Sequence, residues 1–161
     1  MIQISSGYDH SLFLSNTSVV YSCGSGKYGQ TGQNTVSNTL TPTLLPNFQV
    51  QIIQISAGGF HSLLLAFNGS IYSFGSNSVG QLGLGDFNNR LVPVLISQTL
   101  NIPATKISAG GTHSLYIGSN QRTYGFGNNT VRKKSHQGWG VGYWFGWILY
   151  SSCRREHYKS L

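Results

Sequence analysis

The chain has 161 residues and a net charge of +7, and only 8% of its residues are charged. This length is typical of one domain and allows a hydrophobic core. The low charge and the 21 glycines argue against a helical protein, which would need runs of Ala, Glu, Lys and Leu, and they predict short strands joined by turns. The two cysteines, Cys23 and Cys153, exclude a disulfide framework and have no metal-ligand spacing.

The first residues lack the basic and then apolar pattern of a signal peptide. The most apolar run, residues 138–150, is shorter than the ~20 residues that a membrane-spanning helix needs. We therefore expect an intracellular protein, cytoplasmic or nuclear, with no membrane partner.

A repeat with a period of about 51 residues organises the chain. The segment "ISSGYDHSLFL" begins at Ile4, "ISAGGFHSLLL" at Ile55 and "ISAGGTHSLYI" at Ile107. The register continues through each unit at three sets of positions, which are His10, His61 and His113; Tyr21, Tyr72 and Tyr124; and Gly24, Gly75 and Gly127. A register that is kept over a whole unit indicates a repeat architecture, and we interpret these histidines and glycines as structural positions of the repeat.

Each unit is predicted to contain about four short strands. In the second unit, "QIIQIS" and "HSLLL" flank a glycine turn, and Asn68-Gly69 suits a tight hairpin before "SIYSF" because both residue types tolerate positive φ. A glycine-rich loop from Gly75 and the extended piece "LVPVLI" from Leu91 complete the unit. The consecutive leucines of "HSLLL" make both faces of that strand apolar, which is typical of a sheet packed between neighbouring sheets, as in a β-propeller.

Three motifs resemble the regulator-of-chromosome-condensation repeat: "AGGFHSLLL", "GSIYSFGSN" and "GQLGLGD", in the expected order and spacing. WD and kelch repeats fit less well, because the Trp-Asp signature of the former and the tryptophan of the latter are missing from every unit. The resemblance covers residues 1 to about 131, in units that start near residues 4, 55 and 107. It implies a seven-bladed propeller as the family fold, so we predict an all-β chain with two and a half to three blades.

Residues 132–161 depart from the repeat. They contain all three tryptophans and six basic residues against one acidic residue, whereas residues 1–128 contain four basic and two acidic residues. One interpretation is a genuine basic and aromatic tail that binds nucleic acid or an acidic membrane surface. The other is a frameshifted or disordered segment, which we favour because a blade needs its remaining strands to bury its faces. The coding DNA would decide between them.

A His-Ser pair recurs in every unit, as His10-Ser11, His61-Ser62 and His113-Ser114. A catalytic pair needs an orienting acid and an oxyanion hole, and neighbouring side chains on a strand point to opposite faces. We therefore predict a buried imidazole that ties strand to loop within each blade, since buried polar groups are hydrogen-bonded. The segment "GSGKYG" matches a dinucleotide fingerprint but lacks its helix and acid. We predict no catalytic residue, no cofactor and no metal.

Partner binding is assigned to exposed loops at one rim of the propeller, because loops on a rigid scaffold commonly carry function. The candidate residues are Asp9, Lys27, Tyr28, Phe87, Asn88 and Arg90. The favoured hypothesis is a non-catalytic platform that binds another protein. The four basic residues in 1–128 argue against an electrostatic nucleic-acid site, unless the basic tail is genuine.

The resemblance also implies an alternative, guanine-nucleotide exchange on a Ran-type small GTPase. The founding member of the family has this activity, and acidic residues on one propeller face contribute to it. Asp9, directly before the repeat histidine, resembles that arrangement. Asp9 and Asp86 are the only acidic residues in 1–128, so the broad acidic surface that such a partner would face is absent.

Overall fold

A computed structural model describes residues 2–97 and 101–128, together with the backbone of residues 148–150. This part of the chain contains twelve β-strands and no α-helix. The first sheet holds β1 (Gln3–Ser6), β2 (His10–Leu14), β3 (Val20–Gly24) and β4 (Thr39–Leu44); the second holds β5 (Ile52–Ala57), β6 (His61–Ala66), β7 (Ile71–Gly75) and β8 (Arg90–Leu95); the third holds β9 (Ala104–Ala109), β10 (His113–Gly118), β11 (Thr123–Gly127) and β12 (Ile148–Tyr150).

Each sheet is an antiparallel meander in which consecutive strands are neighbours. The first strands of the sheets lie together, because β1 contacts β5 and β5 contacts β9. In addition, β2 packs on β5 and β6 packs on β9. The sheets thus fan out from their first strands like the blades of a propeller. The predicted fold class, all-β and part of a propeller, is confirmed.

Short turns connect the second and third strands of each blade. In the second blade, Gly69 has a φ of +83° and Ala66 N–H donates to the carbonyl of Ser70. Asn68 keeps a negative φ and instead accepts the backbone N–H of Ser70 on its side-chain oxygen, at 3.0 Å. The sequence predicted this turn, but only its glycine needs the positive φ.

Strand β6 is buried along its whole length, between the first and the third sheet. Its Leu64 belongs to a cluster with Leu12 and Ile55, while its Leu63 and Leu65 belong to a second cluster toward the third sheet. All three leucines are at most 1% exposed. The prediction that both faces of this strand are covered is therefore confirmed, and the two clusters are the cores between neighbouring blades.

One end of the blades carries the longer loops. The register pairs His10 with Gly24 and His61 with Gly75. In each of these blades, the loop between the first and second strands therefore lies at the same end as the loop between the third and fourth strands. We call this end the loop face; it comprises residues 7–9, 25–38, 58–60, 76–89 and 110–112. The turns at residues 15–19, 67–70 and 119–122 lie at the opposite end.

The fourth strand of the third sheet comes from the atypical tail. Residues 148–150 pair antiparallel with β11, with Tyr150 opposite Thr123 and Ile148 opposite Gly125. The predicted boundary at residue 131 and the rest of the segment 132–161 lie outside the described residues. Within residues 2–97 and 101–128, no helix is long and apolar enough to cross a membrane.

Candidate functional site

The structure brings the predicted partner-binding residues to one end of the molecule. Asp9 lies in the β1–β2 loop, Lys27 and Tyr28 follow β3, Phe87 and Asn88 follow β7, and Arg90 opens β8. All six positions belong to the loop face or to its border with β8. Two neighbouring blades therefore contribute to one surface.

An aromatic cluster links the two blades on this face. The ring of Phe60 meets Tyr8 and Tyr28 edge to face, with ring centroids 5.4 Å apart in each pair. Tyr8 is 73% exposed, and the ammonium of Lys27 lies 5.2 Å from the centre of the Tyr28 ring. Sequence reasoning missed Tyr8 and Phe60. The available signal was an aromatic residue one or two positions before the repeat histidine.

Asp9 borders this cluster and is fixed by its own blade. Its Oδ1 accepts a hydrogen bond of 3.1 Å from the side-chain amide of Gln30. The oxygen of this side-chain amide, Gln30 Oε1, accepts the backbone N–H of Tyr28, at 2.8 Å. Gln30 thus connects the carboxylate of Asp9 to the loop that carries Lys27 and Tyr28.

In the second blade, the loop of residues 76–89 is held by a network of hydrogen bonds around Asp86. The carboxylate of Asp86 accepts the backbone N–H of Asn88 and pairs with the guanidinium of Arg90. The Asn88 N–H and the Arg90 guanidinium lower the pKa of Asp86 below its ordinary value. Asn88 and Arg90 are therefore engaged in shaping the loop, and Phe87 beside them is 46% exposed.

Two of the repeat histidines, His10 and His61, form junctions between blades. His10 Nε2 lies 2.9 Å from the hydroxyl of Ser62 in the next blade, and His61 Nε2 lies 2.9 Å from the hydroxyl of Ser114. His10 is 3% exposed and His61 is fully buried. The sequence predicted a bond from strand to loop within one blade. The structure corrects the partner, which is the serine of the following blade. The prediction of a buried imidazole in each blade is wrong for His113, which is exposed.

The loop of the first blade completes this junction. Ser62 donates its hydroxyl proton to the carbonyl of Gln30, at 2.8 Å, and Ser114 donates in the same way to Gln81. A hydroxyl has one proton, so Ser62 must accept from His10, which assigns the proton to Nε2 of the imidazole. The chain of bonds runs from histidine to serine to the loop carbonyl.

Both junction histidines are neutral. Burial lowers the pKa of His10 from 6.5 to about 4, and the nearby carboxylate of Asp9 offsets this only in part. Burial also lowers the pKa of His61 to about 4, with repulsion from His10 and His113 adding to the effect. The Nδ1 atoms of His10 and His61 have no hydrogen-bond partner among the described residues.

The Asp9–His10–Ser62 sequence of contacts superficially suggests a catalytic triad. Asp9 Oδ1 is 3.9 Å from His10 Nδ1, beyond hydrogen-bond distance. Ser62 is fully buried and its proton is already donated to a carbonyl, so no substrate can reach its oxygen. In the next blade Phe60 takes the place of the acid. Within the described ranges, no three His, Cys, Asp or Glu side chains lie close enough to hold a metal ion.

Glycines allow the loops to approach these junctions. Gly24, Gly75 and Gly127 have φ values of +113°, +103° and +101°. A Cβ at these positions would lie 2.4–2.7 Å from the carbonyl oxygen of the residue before the repeat histidine. Each of these glycines ends the ladder between the second and third strands of its blade, at the loop face. Gly32 faces the next blade, where a Cβ would lie 2.8 Å from the ring of Phe74.

A second junction lies along the first strands of the blades, β1, β5 and β9, which we call the inner strands. The side-chain amide of Gln3 donates to the carbonyl of Ile55 and accepts its N–H, at 3.0 and 2.9 Å. Gln54 makes the same two bonds to Ile107, at 2.9 and 3.0 Å. Each amide thereby satisfies an open edge of the next inner strand. The third blade has Lys106 at this position.

Comparison with known proteins agrees with this architecture. Two family models, both described as the regulator of chromosome condensation (RCC1) repeat, match residues 19–65 and 68–117 and residues 1–30 and 52–81. The human protein named "Probable E3 ubiquitin-protein ligase HERC4" is 37% identical over 138 residues, which are 84% of this chain and 13% of that protein.

Solved structures show the same fold. Human WBSCR16 is 29% identical, with a TM-score of 0.72 over 80% of this chain and 34% of that one. Prp20p of Saccharomyces cerevisiae, studied for its binding to Gsp1p and histones, is 28% identical, with a TM-score of 0.67 over 72% of this chain and 30% of that one. The chain spans between about an eighth and a third of these proteins.

Proposed function

Because the chain belongs to the family of regulator of chromosome condensation (RCC1) repeats, we propose that it forms a non-catalytic part of a propeller that binds a partner protein through its loop face. The observation that carries the proposal is the aromatic cluster of Tyr8, Tyr28 and Phe60, which spans two blades. Aromatic side chains supply much of the contact energy at protein interfaces.

The polar residues around the cluster suit a protein partner. The ammonium of Lys27 lies near the Tyr28 ring and the carboxylate of Asp9 follows Tyr8 in the chain, so the surface offers both apolar contact and directional polar contact. Phe87 adds an exposed aromatic side chain to the loop face in the second blade. We propose that Asp9, Lys27, Tyr28 and Phe87 contact the partner and that Asn88 and Arg90 position their loop through Asp86.

The loops are already ordered by the scaffold. Gln30 bonds to Asp9, Tyr28 and Ser62 at once, and its loop packs on the next blade through Gly32. A surface that is held in place loses little conformational entropy on binding. Prp20p, whose binding to Gsp1p and histones has been studied, supports a protein as the kind of partner.

The test is a quantitative pull-down from an extract of the source cells. Phe60→Ala and Lys27→Glu should each reduce retention of the partner at least tenfold. Phe67→Ala is the matched control, because Phe67 is 71% exposed at the opposite end of the blades. His61→Ala should lower solubility and stability without a comparable loss of binding per folded molecule. Loss with His61→Ala and none with the loop variants would contradict the proposal.

Asp9 favours a second candidate, nucleotide exchange on a small GTPase. It lies on the loop face and 37% of its side chain is exposed. Exchange of this kind involves no covalent step, since the propeller would distort the nucleotide site of its partner. The assay follows release of GDP from a loaded Ran-type GTPase, with Asp9→Asn as the comparison. If the intact chain produces no acceleration, this candidate fails. The nucleic-acid alternative rests on the basic tail, outside the described residues.

A further inference from the structure

The two ends of the fan of blades carry the two halves of the junction described above. We call the exposed side of β1 and β2 the leading face, which includes Ile4, Ser6, Ser11 and Phe13. We call the exposed side of β9 and β10 the trailing face, which includes Lys106, Ser108, His113, Leu115 and Ile117. Both faces are uncovered by the described residues.

The exposure of its residues shows that the leading face lacks the blade that covers the equivalent face of the second and third blades. Ile4 is 70% exposed, whereas Ile55 and Ile107, at the same repeat position, are 1% and 5% exposed under the preceding blade. Ser11 is only half-buried and its hydroxyl has no hydrogen-bond partner in the part of the chain that the structure describes. Its counterparts Ser62 and Ser114 are fully buried and accept from a histidine.

The trailing face carries the residues whose counterparts in the first two blades contact the following blade. His113 is exposed, whereas His10 and His61 are buried against the next blade. Ile117 is 37% exposed, but its counterpart Leu65 is 1% exposed. Ser108 is exposed as well, whereas Ser56, at the same position, accepts the N–H of Ala109 at 2.9 Å.

We propose that a second copy of this chain docks head to tail, so that the leading face of one copy covers the trailing face of another. His113 Nε2 then donates to the hydroxyl of Ser11 of the second copy, and Ser108 accepts its Ser6 N–H. Leu115 and Ile117 pack on its Ile4 and Phe13. Each contact continues an interface that the chain already forms twice, from β2 to β5 and from β6 to β9.

One residue makes the contact between copies weaker than the internal junctions. Lys106 occupies the position of Gln3 and Gln54, whose amides both donate to and accept from the next inner strand. A lysine ammonium only donates, so Lys106 can bond to the carbonyl of Ile4 but leaves its N–H without that acceptor. The association is therefore expected to depend on concentration.

Such an interface is heterologous, because the two surfaces in contact are different. A variant with a blocked leading face keeps a usable trailing face, and the reverse holds for a blocked trailing face. Ile4→Asp blocks the leading face and Ile117→Asp blocks the trailing face. Both positions are exposed, so we expect the folded blades to stay intact. Leu40→Asp is the matched control, because Leu40 is 90% exposed on the outer strand β4.

The test is sedimentation of the full chain over a wide range of concentrations. The unaltered chain, Leu40→Asp and Phe60→Ala should associate, while Ile4→Asp and Ile117→Asp should each sediment as monomers. An equimolar mixture of the last two should give a one-to-one dimer that grows no further. The proposal is overturned by a chain that is monomeric throughout, by self-association of either blocked variant, or by a mixture that stays monomeric. Phe60→Ala separates this result from the proposed function, since it alters only the loop face.

Discussion

His10 and Ser62 are 52 residues apart in the sequence and share a buried hydrogen bond of 2.9 Å that joins two blades. The hydroxyl of Ser62 in turn donates a hydrogen bond to the carbonyl of Gln30, so three segments of the chain meet at one hydroxyl. The arrangement recurs at His61, Ser114 and Gln81. Because it is repeated, its energetic contribution can be tested at equivalent positions in one chain.

Replacing Ser62 by Ala should destabilise the fold strongly. The change leaves the Nε2–H of His10 and the carbonyl of Gln30 buried without this partner, and together these should lower the free energy of unfolding by about 3 kcal/mol. Ser11→Ala is the matched control, because Ser11 has the same place in the first blade and forms no such bridge. Urea unfolding in dilute solution measures both. Similar losses for the two variants would contradict the role given to the bridge.

Stability should fall in mild acid because of the two buried histidines. Their pKa values are lowered to about 4 in the folded chain, while the unfolded chain keeps the ordinary 6.5. Above pH 6.5 neither state binds these protons. Between pH 6.5 and 4 the unfolded state binds them first, so folding should lose up to about 3 kcal/mol per histidine, with no further loss from these groups below pH 4.

Urea unfolding at pH 7, 5.5 and 4 measures this dependence. His61→Gln should show roughly half the acid sensitivity, since it removes one of the two groups while its amide can still donate to Ser114. A free energy of unfolding that stays constant from pH 7 to 4 would refute the assignment of buried neutral imidazoles.

Gly83 and Gly85 allow two effects of a glycine to be measured separately, namely its tolerance of positive φ and the space that its missing Cβ leaves for the next blade. Both have positive φ, +67° and +80°, so alanine at either position should cost about 1 kcal/mol through the backbone. A Cβ at Gly83 would lie 2.9 Å from the ring of Phe126 in the next blade, whereas a Cβ at Gly85 meets nothing within 4 Å. Gly83→Ala should therefore lose about 2 kcal/mol more than Gly85→Ala in thermal or urea unfolding. Equal losses would show that only the backbone matters.

Gln54→Glu tests the junction of the inner strands. The carboxylate can still accept the N–H of Ile107, but it repels the carbonyl to which the amide donates. We expect a loss of about 2 kcal/mol in the free energy of unfolding at pH 7. Gln51→Glu introduces the same charge at an exposed position of the same blade and should change little. A loss that matched between the two variants would point to net charge instead of the lost hydrogen bond.

The propeller architecture was predictable because its signals can be read directly from the linear sequence. The 51-residue period comes from comparing successive segments of the chain, while the turn at Asn68-Gly69 and the three consecutive leucines of β6 each depend on neighbouring residues. The partner of His10 was not predictable in the same way. The alternation of side chains along a strand tells which face a histidine occupies, but not whether a loop or another blade covers that face.

In the candidate site, too, some residues could be predicted from the sequence and others could not. Exposed loop residues such as Lys27 and Tyr28 stand out in the sequence by their position after a strand. Phe60 was missed because its contacts with Tyr8 and Tyr28 come from another blade. Gln30 was missed as well, although "GQTG" and "GQLG" occur in both loops, because the sequence does not reveal that its carbonyl accepts from the following blade.

The offset of every junction by one blade has a consequence for how such chains can change in length. Each unit supplies a histidine to the unit after it and a serine to the unit before it. If recombination within the gene removes or adds one whole unit, a histidine-bearing face is rejoined to a serine-bearing face, and the histidine–serine bonds between blades are restored. A deletion that removes only the histidine or only the serine of a junction leaves the other residue without its partner. The number of blades can thus evolve in whole steps without new contact residues having to arise.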